Sequence, residues 1–390
     1  MRYRRSKSKL LIGALALFCL FLLAGCPKDE LSEGDQVGQP LAEPTIEELG
    51  LRLMPKGVDI NGLSQAEVDR VARGSYLVNG AGDCGGCHTT PNGGYLAGGL
   101  EFPLFPDIQG FTSVFSRNLT PDPETGLRLT QDQFIEVIRT GKDFEDSTEL
   151  NPQRLIIIPF HIFRFMSLED LNAVYAYLRV IPPVKNGIRK SFIPPFPFPP
   201  ISFPAIGDGD SVSDPNNSER GLSIPQFFSS GAGADAFVNQ FNTTLAGLTP
   251  EEKTKVGRGS YLVNSLGGCN SCHTDNSGDH IFDEGLIPFS VDVDTTAYLA
   301  GGVNLGIFFP GLGDIFSRNL TPHPTTGLFL TEEQFIQVLR FGADFRRPGK
   351  SLRVEPHFPT RFHHTLDDLK AIYAYLKAIP AVNNSVAITP

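Results

Sequence analysis

The chain has 390 residues, enough for two or three compact domains, and its 41% hydrophobic and 19% charged residues argue against global disorder. Acidic residues outnumber Lys and Arg by 43 to 33. This balance argues against nucleic acid as a partner and favours a basic protein instead.

The N-terminus is typical of a bacterial lipoprotein leader. The basic stretch "RYRRSKSK" precedes an apolar stretch that is too short and one-sided to predict a membrane span. The sequence "LAGC", which ends at Cys26, resembles a lipobox, in which the cysteine thiol receives diacylglycerol. We expect a signal peptide over 1–25, a lipid anchor at Cys26 and a tether over 26–60. The mature protein would then lie on a membrane of the cell envelope, periplasmic or surface-facing.

The motif Cys-x-x-Cys-His occurs twice, within "DCGGCHTT" and "GCNSCHTD". This spacing is the attachment signature of c-type haem, in which two thiols bond the porphyrin vinyl groups and the histidine binds the iron. A zinc site would need cysteines that lie far apart in the chain and would leave both histidines unexplained. The sequence therefore predicts two covalently bound haem c groups, held by Cys84, Cys87 and His88 and by Cys269, Cys272 and His273.

The segments around these motifs form a tandem repeat. "RGSYLVNGAGDCGGCHT" from Arg73 returns as "RGSYLVNSLGGCNSCHT" from Arg258, and "YLAGG" and "FSRNLTP" recur in the same order. Capping residues followed by apolar residues at helical spacing predict helices before each motif, at "TQDQFIEVIRTG" and "TEEQFIQVLRFG", and at "SLEDLNAVYAYL" and "TLDDLKAIYAYL". We expect a mostly α fold with haem domains over 61–185 and 248–390, joined by a Pro/Gly-rich linker over 186–247.

On these motifs each repeat resembles the class I cytochrome c modules of membrane-bound alcohol and gluconate dehydrogenases and of stand-alone di-haem cytochromes c. The resemblance covers roughly residues 65–184 and 250–382. It implies two tandem class I cytochrome c domains, covalent haem c, and electron transfer between a dehydrogenase and a terminal electron acceptor. It implies no chemistry on a small substrate.

The second axial ligand departs from this family's pattern, which places a Met-Pro step before the last helix. The two repeats read Ile158-Pro159 and Glu355-Pro356 at that position, and no methionine follows the second motif. Two sets of candidates remain open: His161 or Met166 for the first haem, and His357, His363 or His364 for the second, with His280 and His323 less well placed. We favour His161 and His357, because Met166 and His364 directly precede a helix cap, where side chains commonly pack on the first turn.

Two further questions stay open at this stage. Arg117 and Arg318 in the repeated "SRN" are either partners for haem propionates or turn residues beside Asn118 and Asn319. The favoured function is a di-haem c-type cytochrome lipoprotein that carries electrons between redox proteins of the envelope. The alternative is a di-haem peroxidase-like oxidoreductase with one open haem face, using Glu355, His363 and His364 as acid–base groups.

Overall fold

The computed structural model describes residues 43–90, 93–102, 114–144, 160–188, 214, 216–228, 232–274, 293–305, 313–352 and 363–387. Within these ranges the helices are, in chain order, α1 (Ile46–Leu53), α2 (Gln65–Tyr76), α3 (Cys84–His88), α4 (Gln131–Thr140), α5 (Phe160–Phe163), α6 (Leu168–Val180), α7 (Ser218–Ser223), α8 (Ala232–Ala246), α9 (Pro250–Tyr261), α10 (Cys269–His273), α11 (Glu332–Phe341) and α12 (Leu366–Ala378).

The described residues add little other regular structure. π-helical turns continue α2 and α9 over Leu77–Ala81 and Leu262–Leu266, and a 3₁₀ turn covers Ile224–Phe227. Two short strands, β1 (Glu101–Phe102) and β2 (Val114–Phe115), pair antiparallel. The expected mostly α fold is confirmed. Among the described helices, none is long and apolar enough to cross a membrane. The predicted leader and Cys26 lie outside the described residues.

The helices begin and end where the sequence signals indicate. Thr130 and Thr331 form capping boxes at the starts of α4 and α11. Each threonine hydroxyl accepts from the N–H of the third helical residue, a glutamine, and the side-chain oxygen of that glutamine accepts from the threonine N–H. Gly141 and Gly342 end these helices in the left-handed conformation, with φ of 71° and 64°. Local chemistry therefore sets the helix limits.

In each repeat the helix before the haem motif crosses the last helix at a glycine. A Cβ on Gly74 of α2 would lie 2.0 Å from the carbonyl oxygen of Ala173 in α6. A Cβ on Gly259 of α9 would lie 1.9 Å from the carbonyl oxygen of Ala371 in α12. The repeated "RGSY" therefore contains a glycine because two helix backbones touch there.

A further helix packs in the same way on each repeat. A Cβ on Gly50 of α1 would lie 1.9 Å from the carbonyl oxygen of Ala72, and one on Gly221 of α7 would lie 1.8 Å from that of Gly257. Helix α1 thus belongs to the segment expected as a tether, and α7 to the segment expected as a linker. The two helices share the short sequence "ELGL" and "ERGL", a repeat that the sequence analysis did not identify beside the longer ones.

Helix α8, also within the expected linker, packs on the second repeat. The rings of Phe237 and Phe241 lie 5.3 Å and 5.9 Å, between centroids, from those of Tyr298 and Tyr375. The proline-rich part of the linker lies outside the described residues, so the predicted limits of linker and domains stay predictions.

Two buried aspartates connect the repeats, and the first is Asp170 in the first turn of α6. Its carboxylate accepts from Nε of Arg73, in its own repeat, at 2.6 Å, and from the hydroxyl of Tyr261, in the other repeat, at 2.5 Å. The side-chain amide of Asn217 donates to the same carboxylate at 3.1 Å. This group is shielded from water, so each bond contributes more than it would on the surface.

The second is Asp368 in the first turn of α12, which repeats this arrangement in reverse. It accepts two bonds of 2.8 Å from the Arg258 guanidinium of its own repeat and one from the hydroxyl of Tyr76 in the other repeat. Burial raises the pKa of Asp368, but the Arg258 charge and the hydrogen bonds more than offset it, so the pKa lies below its usual value. The repeats are thus joined by reciprocal tyrosine–aspartate bonds.

Candidate haem-attachment sites

Both Cys-x-x-Cys-His motifs form short helices that place the three functional side chains on one face. In α3, Cys84, Cys87 and His88 are spaced i, i+3 and i+4, which brings them to neighbouring positions on the helix surface. Asp83, in the left-handed conformation at φ 46°, caps this helix by accepting from the Gly86 N–H at 3.1 Å. In α10 the capping position is Gly268, also left-handed, at φ 53°.

The four cysteines of the two motifs are thiols in the part of the chain that the structure describes. None of the four cysteines that the structure describes is in a disulfide. Burial, with a smaller contribution from the Asp83 charge, raises the pKa of the Cys84 thiol to about 12 and also raises that of Cys87. Both groups are therefore protonated thiols at neutral pH.

Each motif histidine is oriented by a backbone carbonyl. Nδ1 of His88 lies 2.7 Å from the carbonyl oxygen of Arg117, and Nδ1 of His273 lies 2.7 Å from that of Arg318. A carbonyl only accepts hydrogen bonds, so Nδ1 carries the proton and Nε2 keeps its lone pair. Burial lowers the pKa of His88, which favours the neutral ring. A neutral imidazole with its other nitrogen fixed in this way is the usual form of a metal ligand.

The repeated "YLAGG" supports the same histidine from its backbone side. The Gly98 N–H donates to the carbonyl oxygen of His88 at 2.7 Å, and the Gly301 N–H does so to that of His273 at 2.7 Å. Gly98 has φ 72°, and a Cβ there would lie 2.5 Å from the Arg117 carbonyl carbon. The contact that orients His88 therefore requires glycine at this position. Sequence reasoning found this motif but not its role.

The side chains of the two "SRN" arginines pair with aspartates. Arg117 donates to Asp143 at 3.0 Å and 2.5 Å, and Arg318 donates to Asp344 at 2.9 Å. The adjacent Asn118 forms the expected turn, because its side-chain oxygen accepts from the Thr120 N–H at 2.9 Å. The aspartate partners were missed from sequence, although "GKDF" and "GADF" recur at matching positions. Propionate pairing stays a prediction.

An apolar cavity adjoins the second motif. Its volume is about 190 Å³, and its lining includes Cys269, Cys272 and His273 together with apolar walls. Leu328, Phe335 and Ile372 are among the wall residues. Two thiols and an oriented imidazole beside apolar walls are the groups that a covalently attached porphyrin requires, so these residues fit haem c.

The structure describes the surroundings of four candidates for the sixth iron ligand: Met166, His323, His363 and His364. Met166 is packed in the hydrophobic core, and the His364 ring, 2% exposed, lies edge-on to Tyr76 with 6.2 Å between centroids. Neither His363 nor His364 is among the described residues that line the cavity. Nδ1 of His323 lies 3.2 Å from the Thr326 N–H, within a turn.

The two favoured ligands are His161 and His357. His161 lies in α5, and His357 lies outside the described residues, as do Glu355 and His280. The assignment of His161 and His357 stays a prediction.

Comparison with known proteins supports the resemblance seen in the motifs. The chain is 30% identical over 315 residues, 80% of its length, to the cytochrome c subunit of a quinone alcohol dehydrogenase from Gluconacetobacter polyoxogenes. It is 27% identical over 329 residues, 83% of its length, to the gluconate 2-dehydrogenase cytochrome c subunit of Pantoea cypripedii. A diheme cytochrome c-type protein of Cereibacter sphaeroides is 24% identical over 310 residues, which cover 77% of this chain and 83% of that protein.

These matches confirm that the chain resembles cytochrome c subunits of dehydrogenases and a di-haem cytochrome c. The matched part spans 56% of the alcohol dehydrogenase subunit and 63% of the gluconate dehydrogenase subunit, so the chain corresponds to little more than half of these relatives. No family model matches the chain.

Proposed function

We propose that this protein is a di-haem c-type cytochrome lipoprotein that passes electrons one at a time between redox proteins of the bacterial envelope. The observation that carries the proposal is the pair of Cys-x-x-Cys-His helices, each with its histidine Nδ1 bonded 2.7 Å from a backbone carbonyl. A haem c held at each helix would supply a one-electron iron couple. The similarity to cytochrome c subunits supports the same function.

The chain's own residues would attach, orient and shield the two groups. Cys84 and Cys87 in the first repeat, and Cys269 and Cys272 in the second, would form the thioethers. His88 and His273, oriented by backbone carbonyls, would bind iron through Nε2, and the apolar walls near His273 would exclude water. Fixed ligands and a dry site keep reorganisation small when an electron arrives or leaves.

The contact between the repeats favours electron transfer within the chain. A Cβ on Gly82, two residues before Cys84, would lie 3.9 Å from both Cys84 Sγ and Leu266 Cδ2. Leu266 in turn lies three residues before Cys269. The two attachment segments are therefore neighbours, and an electron received at one haem would have a short path to the other.

The test of the function is the haem content and spectrum of the full chain made in cells that mature c-type cytochromes. We expect two haems per chain by pyridine haemochrome assay, a low-spin ferric spectrum and reversible one-electron titrations. Cys84→Ala with Cys87→Ala should leave one haem, attached at Cys269 and Cys272. A high-spin ferric component that reacts with peroxide would favour the peroxidase-like alternative. A chain without covalent haem would refute both.

The membrane location has its own test. Because a diacylglyceryl group at Cys26 would anchor the protein, Cys26→Ala should release it from the membrane fraction or leave it unprocessed. A Cys26→Ala product of mature size that still fractionates with membranes would contradict the lipid anchor and leave the cytochrome function intact. The expected redox partners are a dehydrogenase and a terminal electron acceptor.

A further inference from the structure

The two repeats differ in charge in the segment that follows α4 and α11. Residues 141–152, "GKDFEDSTELNP", contain four acidic residues and one lysine, whereas residues 342–353, "GADFRRPGKSLR", contain one acidic and four basic residues. The segments occupy matching positions, after the glycine that ends each helix. The charge therefore changes sign within an otherwise repeated framework.

In the second repeat this segment is a closed loop at the haem-site cavity. The Asp344 N–H donates to the Lys350 carbonyl oxygen at 2.9 Å, and the Leu352 N–H donates to that of Gly342 at 2.8 Å. Arg346 and Arg347 line the same cavity as Cys269, Cys272 and His273. The basic loop is thus fixed beside the predicted second haem.

Local pairing leaves this loop with excess positive charge. The buried Asp344 carboxylate accepts from Arg318 at 2.9 Å and from Arg347 at 2.7 Å, so one negative charge already faces two guanidinium groups. Arg346 lies over the Phe329 ring, 4.7 Å from its centroid, and Lys350 is exposed. The Arg346 and Lys350 charges are therefore available to attract an anionic surface.

Two exposed phenylalanines lie beside this loop. Phe329 is 51% exposed and lines the cavity, and Phe341, which is 62% exposed, directly precedes the loop in the chain. The matching residues of the first repeat are Arg128 and Thr140, so neither aromatic is part of the repeated core. Exposed aromatic residues beside arginine are typical of the centres of protein interfaces.

We propose that Phe329, Arg346, Arg347 and Lys350 form a docking surface, called here the basic surface, for a redox protein whose own docking face is acidic. This inference rests on the proposed function, because it assigns a partner to the second haem. The whole chain carries a net charge of −10, so an acidic partner would be repelled from most of the surface. The basic surface would therefore direct such a partner to the cavity of the second haem. The net charge of the chain by itself predicts a basic partner, so it is the local charge of this surface that favours an acidic one.

The competing explanation is that these side chains serve only to neutralise the carboxylates of the bound haem. The two explanations differ in what the charges affect. Docking depends on the charge of the partner and on salt, whereas neutralisation changes the haem potential and the reaction with every oxidant.

The test is stopped-flow oxidation of the reduced, full-length di-haem protein by two oxidants, an acidic blue copper protein and uncharged benzoquinone. The test variant is Arg346→Glu with Lys350→Glu, which leaves the Asp344 pairs in place. The control is Arg52→Glu with Lys56→Glu, an equal charge change at two exposed residues in and just after α1.

For the wild type, we expect the rate constant with the blue copper protein to fall as salt is added. The test variant should lower this rate constant about tenfold or more at low salt, within the range that electrostatic steering supplies. The control should change it less than about threefold, because Arg52 and Lys56 are not among the described residues that line the cavity of the second haem. Benzoquinone oxidation and the haem potentials should be unchanged in the control, and in the test variant they should change much less than the blue copper rate constant.

Three results would overturn the docking proposal. The blue copper rate constant of the wild type could rise with salt, or the test and control variants could slow it equally. The test variant could also change the benzoquinone rate and the second haem potential as strongly as the blue copper rate, which would assign the charges to the haem carboxylates. In each case a two-haem protein that reacts with benzoquinone leaves the proposed function standing.

Discussion

Replacing Tyr261 by phenylalanine should destabilise both repeats at once, because its hydroxyl bonds two residues of the other repeat. The hydroxyl donates to the Asp170 carboxylate at 2.5 Å and accepts from the Ser167 N–H at 3.0 Å. Phenylalanine keeps the ring, which is fully buried, and removes both bonds. The change therefore isolates the hydrogen bonds from the packing.

The expected magnitude follows from these two bonds. A hydrogen bond to a charged group contributes about 1.5–3 kcal/mol, and a buried N–H left without its partner costs at least about 1 kcal/mol. Asp170 keeps its bonds to Arg73 and Asn217, so its charge stays paired. We expect Tyr261→Phe to lower the free energy of unfolding by about 2.5–4 kcal/mol.

The assay is urea unfolding of the holoprotein, followed by far-UV circular dichroism and by the Soret band. A single transition should move to lower urea without a change in slope, since both repeats share the lost bond. The matched control is Tyr175→Phe, whose hydroxyl donates to the Leu129 carbonyl at 2.9 Å within one repeat and should cost about 0.5–1.5 kcal/mol. An equal loss in the two variants, or two transitions of which one does not move, would refute the reasoning.

Three further outcomes are expected. Gly301 has φ 72°, and a Cβ there would lie 2.5 Å from the Arg318 carbonyl carbon, so Gly301→Ala should lower the free energy of unfolding by about 3 kcal/mol or more and reduce haem content. The control is Gly313→Ala, at φ 69° with no atom near the added Cβ, which should cost about 1–2 kcal/mol of unfolding free energy and keep both haems. Because the pKa of Asp368 is lowered in the folded protein, its contribution to stability is complete above the unfolded pKa of about 3.9 and is lost as the pH falls through the folded pKa. In urea unfolding at pH 7, the Asp368→Asn variant should be less stable than the wild type by about 3–5 kcal/mol. On acidification the variant should lose less stability than the wild type. His357→Ala in the full chain lacking Cys84 and Cys87 should convert the ferric spectrum of the second haem from low spin and shift its potential; an unchanged spectrum would move the assignment to His363 or His364.

Several features of this protein follow from sequence alone because they depend on neighbours in the chain. The spacing of Cys84, Cys87 and His88 places them on one helix face whatever surrounds the helix. A capping threonine and a terminal glycine likewise set the limits of α4 from residues within one turn. The repetition of these local signals was enough to predict two haem motifs in a mostly helical chain.

Other features required the tertiary structure because their partners are distant in sequence. Asp170 is indistinguishable in sequence from any acidic residue in a first helical turn, yet it bonds Tyr261, 91 residues away. Gly98 is needed because it touches the backbone of Arg117, 19 positions along the chain. Arg117 orients His88 through its backbone carbonyl, a group that every residue has, so the sequence gives no sign of this role.

The same distinction explains why the sequence did not predict helices α1 and α7 within the expected tether and linker. Helix α1 has eight residues and α7 has six, too short to be stable through their own hydrogen bonds. Each forms because a glycine lets it lie against the helix before a haem motif. Sequence determined what each segment can do within a few residues, and tertiary packing decided which distant groups meet, because burial and close backbone contact belong to pairs of segments rather than to either one.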